Sequence, residues 1–191
     1  IKVDSPAGNY FMERQIRQND FNSYGARRGN HEVMVRGTFA NIRIKNQLLS
    51  NVEGGYSILE PDKKKMSVYD VAMEYAKRSE NVVVFAGEEY GTGSSRDWAA
   101  KGTKLLGIKA VIAESFERIH RSNLIGMGIL PLQLKSHTIN KLNIQSSDLI
   151  NIKLTEDLKP LQELEVFIQN DMRNIKIDCI LRIDTINELQ Y

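Results

Sequence analysis

The sequence has little cysteine, no long apolar run and almost no net charge. Cys179 is the single cysteine among 191 residues, which excludes a disulfide framework and a metal site made of cysteines alone. No apolar run approaches the roughly 20 residues of a membrane span. The opening segment, with Pro6 and Gly8, is too polar for a signal peptide. We therefore expect a cytoplasmic protein without a membrane partner.

Two further features concern charge and the start of the chain. The net charge of +2 is too small to imply a nucleic-acid partner by itself. Residues 1–50 nevertheless carry eight Lys/Arg against four Asp/Glu. This basic segment suits an anionic ligand, and a solvated basic face is the open alternative. The chain starts at Ile1 rather than Met, which predicts a fragment or a processed piece.

The composition, 41% hydrophobic, permits a packed core, and the length fits one domain over residues 1–191. Few periodic apolar positions occur in residues 1–36, so we predict an irregular basic segment there, followed by a short strand or turn at 37–46. Ser67 is typical of a helix N-cap, and the apolar spacing after it predicts a helix to about Arg78.

Residues 67–132 alternate between helical patterns and short apolar runs. The runs at 82–86, 110–113 and 129–132 are typical of parallel strands. Helices between them predict a parallel β-α-β-α-β core of the α/β class, with Leu105, Leu106 and Ile119 among the packed residues. Period-two alternation then predicts a strand-rich part at 148–184, which we expect to be a mostly antiparallel C-terminal lobe packed on the core, with Cys179 buried in a strand.

A Gly-rich loop over residues 87–97 follows the first of these strands and leads into a helix. Free backbone N–H groups at such a junction favour an anion. Gly91 and Gly93 allow positive φ or a close approach of the ligand, and Arg96 matches a carboxylate. The loop lacks the spacing of a P-loop, a dinucleotide fingerprint or a nucleophile elbow. A helix cap by Ser94 and Ser95 with an ion pair of Arg96 is the structural alternative.

Four motifs in order are distinctive: Ser23-Tyr24-Gly25-Ala26-Arg27-Arg28-Gly29-Asn30, Arg36-Gly37-Thr38-Phe39-Ala40-Asn41-Ile42-Arg43, Tyr90-Gly91-Thr92-Gly93-Ser94-Ser95-Arg96-Asp97-Trp98-Ala99-Ala100-Lys101-Gly102 and Glu114-Ser115-Phe116-Glu117-Arg118-Ile119-His120-Arg121-Ser122-Asn123-Leu124. Together they resemble the C-terminal swivel domain of the aconitase family, in the branch of aconitase A and the iron-regulatory aconitases. The resemblance covers residues 1–132 and implies a swivelling β/β/α domain; over residues 133–191 only the strand-rich character agrees.

The resemblance implies a role for four residues. Ser94 is the catalytic base that removes a substrate proton, and Ser95 holds the substrate and its developing negative charge. Arg96 and Arg14 bind substrate carboxylates. The complete enzyme would interconvert citrate and isocitrate with a 4Fe–4S cluster bound by its other domains. This chain would bind no metal, pair with those domains and be inactive alone.

Two other functions stay open on the sequence. One is a regulatory RNA-binding module, because cluster-free relatives in this branch bind messenger RNA. The other is the same domain of a 2-methylcitrate dehydratase, which shares the loop. The three histidines have no metal spacing, and we interpret His120 as a hydrogen-bonded packing residue.

Overall fold

The computed structural model describes residues 1–93 and 97–191, and these form two compact units, residues 1–80 and 81–191. Ser94, Ser95 and Arg96 lie outside the described residues. The single domain over residues 1–191 stays a prediction.

The first unit opens with helices. Its elements are α1 (Pro6–Glu13), a 3-10 turn (Gln18–Asp20), α2 (His31–Gly37), β1 (Tyr56–Leu59), β2 (Lys64–Ser67) and α3 (Val68–Lys77). The prediction that residues 1–36 are irregular is therefore wrong. Ser5 caps α1 by accepting from the Gly8 N–H, and Pro6 fits the first helical position because its missing N–H needs no partner there. The helix is short, and Ala7, Tyr10 and Phe11 bury one face of it.

Residues 37–46 contain the end of α2 and two short turns but no strand, and the first strands lie further on. β1 and β2 pair antiparallel, from Tyr56 opposite Ser67 to Leu59 opposite Lys64. The helix predicted to follow Ser67 is confirmed as α3: the Ser67 hydroxyl accepts from the Asp70 N–H, and the helix ends at Lys77.

The second unit is built on a six-stranded sheet in the order β3-β4-β5-β8-β7-β6. Its strands are β3 (Val82–Ala86), β4 (Ile108–Ala113), β5 (Leu130–Leu134), β6 (Leu149–Ile152), β7 (Glu163–Asn170) and β8 (Arg173–Leu181). β3, β4 and β5 are parallel, and the other pairings are antiparallel. The α/β class and the parallel core are confirmed. The strand-rich part continues this same sheet, because Leu132 of β5 pairs with Leu181 of β8.

The helices of this unit are α4 (Asp97–Leu105), α5 (Arg118–Gly126), α6 (Ile139–Leu142) and α7 (Ile186–Leu189). Leu106 is buried as predicted, but Leu105 and Ile119 are more than 40% exposed. The buried face of α5 is instead His120, Arg121, Leu124 and Ile125. The buried face of α5 therefore includes two polar residues, His120 and Arg121, and Ile119 lies outside it.

The core of the second unit lies against β5, β7 and β8. Alternate residues of β7 and β8 are buried, as period-two strands require; they are Leu164, Val166, Ile168, Ile177, Cys179 and Leu181. The buried strand position predicted for Cys179 is confirmed. Burial raises the pKa of its thiol to about 12, so the thiol stays protonated at neutral pH.

Candidate functional site

The loop between β3 and α4 lies at the carboxyl edge of the parallel strands. β3 and β4 run side by side from Val82 and Ile108 to Ala86 and Ala113, so the segments that follow them leave the sheet at the same edge. This edge is where ligands bind in open α/β sheets. We call residues 87–93, the described part of the loop, the glycine loop.

The glycine loop is held by the segment that follows β4. The Tyr90 N–H donates to the Ser115 carbonyl at 3.0 Å, and the Glu117 N–H donates to the Tyr90 carbonyl at 2.9 Å. The Glu89 N–H also donates to the Ser115 hydroxyl at 2.7 Å. These bonds extend parallel pairing one step beyond the strands, with Tyr90 opposite Phe116, and they fix the start of the loop to the sheet.

Gly91 and Gly93 have the left-handed backbone that the sequence predicts for them. φ is +96° at Gly91 and +95° at Gly93, which is unfavourable for residues with a Cβ. Between them, the Thr92 N–H and hydroxyl both donate to the Glu89 carbonyl, at 3.1 and 2.7 Å. The loop therefore closes on itself just before Ser94.

His120 and Tyr90 pack together next to the loop. Their rings are 5.3 Å apart in an edge-to-face arrangement, and His120 is 2% exposed. Burial raises the pKa of Tyr90 to about 12. Burial also lowers the pKa of His120, which outweighs the opposite effect of Glu117. The imidazole is therefore neutral at pH 7, since its ordinary pKa is already about 6.5.

Arg14, a predicted carboxylate ligand, lies in the first unit at the C-cap of α1. Its guanidinium carbon is 3.7 Å from the centre of the Tyr10 ring, and Nη1 donates to the Tyr10 carbonyl at 3.3 Å. The side chain is 51% exposed, and its acidic neighbour Glu13 is 3.8 Å away and more exposed still. Such an arrangement orients the guanidinium and leaves it accessible to an anion.

Arg36, to which no ligand role was assigned from sequence, lies near the same Tyr10 ring. The Arg36 guanidinium lies 4.6 Å from the ring centres of both Tyr10 and Tyr69. Its Nη1 donates to the Glu32 carboxylate at 2.6 Å and to the Glu32 carbonyl at 2.7 Å. The Arg36 hydrogen bond holds the pKa of the Glu32 carboxyl below its usual range. The basic character of residues 1–50 indicates arginines in this region, but it does not indicate which tyrosine rings they contact.

Ser94, Ser95 and Arg96, the other predicted site residues, lie outside the described residues. What the structure does describe is their frame: the glycine loop ends at Gly93, and α4 begins at Asp97 with an acidic residue in its first turn. The frame is suited to an anion because it joins the carboxyl edge of a sheet to a helix start.

The described residues do not fit an iron–sulfur cluster. Such clusters are held by thiolates, whereas the cysteine of this chain is fully buried in β8 and its pKa is raised to about 12. Within residues 1–93 and 97–191 no group of three or more His, Cys, Asp or Glu side chains is arranged to hold a metal ion. Over the same residues, no helix is long and apolar enough to cross a membrane.

Comparisons with known proteins agree with the motifs around this loop. The model of the aconitase C-terminal domain family matches residues 7–137. The chain is 56% identical over its whole length to aconitate hydratase A of Legionella pneumophila and covers 22% of that protein. It is 55% identical to the enzyme of the same name from Pseudomonas aeruginosa, covering 21% of it. The corresponding identity with that of Escherichia coli is 53%.

A solved 3-isopropylmalate dehydratase from Methanocaldococcus jannaschii matches 65% of the chain and 78% of its own, at 24% identity and a TM-score of 0.35. That likeness is too low to carry an argument. The family match is decisive: the chain belongs to the aconitase C-terminal domain family. It spans about a fifth of the length of the curated relatives it matches.

Proposed function

We propose that this chain is the C-terminal domain of an aconitate hydratase, a hydro-lyase that interconverts citrate and isocitrate through cis-aconitate. One observation carries the proposal. The glycine loop sits at the carboxyl edge of a parallel sheet, in a chain 56% identical to an aconitate hydratase A. A cytoplasmic location fits the single reduced, buried cysteine.

Ser94 is the proposed base. A serine hydroxyl is a poor base at neutral pH, so its alkoxide needs hydrogen-bond donors and positive charge nearby. Arg96, two residues on, and the N-terminus of α4 are the groups in this chain that supply them. Ser95 adds a second hydroxyl that holds the substrate where negative charge develops.

Arg14 and Arg96 are the proposed carboxylate ligands. A guanidinium pairs with a carboxylate through two parallel hydrogen bonds, which sets both the position and the orientation of the substrate. The geometry of Arg14 supports this role: the Tyr10 ring supports one face of its guanidinium, and half of the side chain is exposed.

The 4Fe–4S cluster would be held by other domains of the complete enzyme, because the thiol of Cys179 is buried and protonated. This chain would supply the base and the carboxylate ligands only. Its partners would be a tricarboxylate substrate and those domains.

The complete enzyme is therefore expected to turn over citrate, whereas the 191-residue chain alone binds no cluster and is inactive. The reason is that a serine base and two arginines lack the group that activates the leaving hydroxyl. The measurement is cis-aconitate absorbance with citrate and with 2-methylcitrate, before and after incubation of each protein with iron and sulfide.

Citrate turnover by the isolated chain would contradict the assignment of roles. Faster turnover of 2-methylcitrate than of citrate by the complete enzyme would show that 2-methylcitrate is the substrate. The names of the relatives favour citrate.

Messenger RNA as a partner would require a steep fall of log affinity with log salt for a structured RNA.

In the complete enzyme, Arg14→Lys and Arg96→Lys are each expected to weaken transition-state binding by about 2–5 kcal/mol. An ammonium keeps the charge but loses the paired hydrogen bonds to a carboxylate. Steady-state kinetics with citrate measures the effect as kcat/KM.

Arg17→Lys is the matched control, since Arg17 is an exposed arginine three residues beyond Arg14 to which no ligand role is assigned. It should leave kcat/KM unchanged. If Arg14→Lys behaves like this control, Arg14 is no substrate ligand.

A further inference from the structure

His120 is a buried polar residue whose hydrogen bonding is incomplete. It is 2% exposed, and Nδ1 has no hydrogen-bond partner among residues 1–93 and 97–191. A neutral imidazole carries one donor and one acceptor nitrogen, and leaving one of them unpaired in the interior costs free energy. An apolar residue at this position of α5 would avoid that cost, so the imidazole has a use other than filling the core.

The side chain of His120 packs against Gly91. A Cβ added at Gly91 would lie 2.3 Å from the His120 Cγ, 2.4 Å from its Cβ and 2.5 Å from its Cδ2. The imidazole thus occupies the space that any other residue at position 91 would need. Two independent constraints therefore act on Gly91, its φ of +96° and this contact.

Gly93 separates the two constraints. Its φ of +95° is nearly the same, yet a Cβ there would meet no described atom within 4 Å outside its chain neighbours. A methyl group at position 93 would strain the backbone only. A methyl group at position 91 would strain the backbone and also collide with the imidazole.

The backbone of α5 is fixed where His120 leaves it. The Glu117 carboxylate accepts the Ile119 and His120 N–H groups at 3.1 and 2.8 Å, and the Glu117 N–H is bound to the Tyr90 carbonyl. The fixed start of α5 therefore fixes where the imidazole packs against Gly91. Ser94 follows Gly91 by three residues in the sequence.

We propose that His120 is a positioning residue for the catalytic loop: its ring packs against Gly91 and thereby holds the glycine loop, which leads in sequence to the proposed base Ser94. This inference rests on the proposed function of Ser94. His120 has no contact with substrate in this role, and its burial agrees with that. A displacement of about 1 Å in a reacting group is enough to reduce a rate by about 100-fold.

The test is a double-mutant cycle in the complete enzyme, with Gly91→Ala, Gly93→Ala and His120→Ala alone and with each glycine change combined with His120→Ala. Turnover of citrate is measured per folded molecule, at a temperature where circular dichroism shows every variant to be folded. We expect His120→Ala alone to lower kcat at least tenfold, because the loop loses its support.

The combinations give the decisive comparison. The kcat of Gly91→Ala combined with His120→Ala should be at least tenfold above the value that the product of the two separate fold-changes predicts, whereas Gly93→Ala combined with His120→Ala should show no such rescue. Unchanged kcat per folded molecule in His120→Ala, or equal rescue of both glycine variants, would overturn the proposal. A residue with only a structural role would change the melting temperature and leave kcat unaltered. If Gly91→Ala does not fold, the result for His120→Ala alone decides.

Hydrogen exchange of the peptide covering residues 88–93 gives a readout that needs no catalysis. His120→Ala should speed exchange there and leave the peptides of β7 and β8 unchanged. If the parent enzyme fails to turn over citrate, the proposed function fails, while faster exchange would still show that His120 orders the loop. Parent activity with unaltered exchange and unaltered kcat would overturn the role of His120 alone.

Discussion

Ser94→Ala is expected to lower kcat of the complete enzyme by about 10²–10⁴ and to leave KM nearly unchanged. General base catalysis contributes a factor of this size, and proton removal occurs in the transition state only. The arginine contacts act in the ground state and the transition state alike, so substrate affinity persists. Steady-state kinetics and a thermal melt of the same preparation measure the two quantities.

Ser95→Ala is the control, because it removes a neighbouring hydroxyl and leaves the proposed base in place. We expect it to lower kcat less than Ser94→Ala does. If Ser94 only caps α4, the alanine variant would keep its kcat and lose about 1 kcal/mol of stability. A normal kcat with a lowered melting temperature would therefore show that Ser94 is not the base.

The parallel core could be predicted from sequence because its signals are local. Five consecutive apolar residues at Val82–Ala86, bounded by Gly87, are typical of a buried strand in a βα pattern. Ser67 marks the start of α3, because its hydroxyl accepts from the Asp70 N–H and donates to the Asp70 carboxylate. Each of these elements depends on residues close together in the chain.

The first helices were missed because their signals are short. α1 buries Ala7, Tyr10 and Phe11 within eight residues, which is too short a window to show a period among glycine, asparagine and arginine. Phe21, eight residues beyond α1, packs on Phe11 with ring centres 5.0 Å apart. The helix is stabilised by a contact that no local pattern contains.

The same limit applies to the candidate site. Sequence motifs indicated the glycine loop and the left-handed backbone of Gly91 and Gly93, since few residues other than glycine adopt it. They did not indicate that His120 fills the space beside Gly91. Nor did they indicate that Arg36 lies near the Tyr10 ring on which Arg14 stacks. Contacts between residues that are 26 to 29 positions apart depend on the fold.

A buried ion pair between Asp148 and Arg173 joins the C-terminal strands. Asp148 is therefore a residue whose substitution should lower the stability of these strands. The Asp148 side chain is 1% exposed and accepts from the Gln145 N–H at 2.8 Å and the Asn170 amide at 2.7 Å. It also accepts from two guanidinium nitrogens of Arg173, whose Nη1 donates to the Leu142 carbonyl at 2.8 Å. One carboxylate thus joins the end of β7, the start of β8 and the segment before β6.

Asp148→Asn is expected to lower the free energy of unfolding by about 3 kcal/mol, because a buried ion pair that loses one partner leaves the other charge uncompensated. Glu165→Gln is the control on the same sheet; its pair with Lys176 is exposed and screened by solvent, so the change should affect stability far less.

Burial alone would raise the pKa of Asp148, but the bonds from Arg173 and Gln145 outweigh it and the pKa is lowered. The carboxylate therefore stabilises the fold above its ordinary pKa of about 4, and this stabilisation is lost as pH falls through the lowered value. Urea unfolding of the purified chain at pH 7 and near pH 3 measures both effects. A difference between parent and Asp148→Asn that is as large at pH 3 as at pH 7 would show that packing, and not the ion pair, holds these strands.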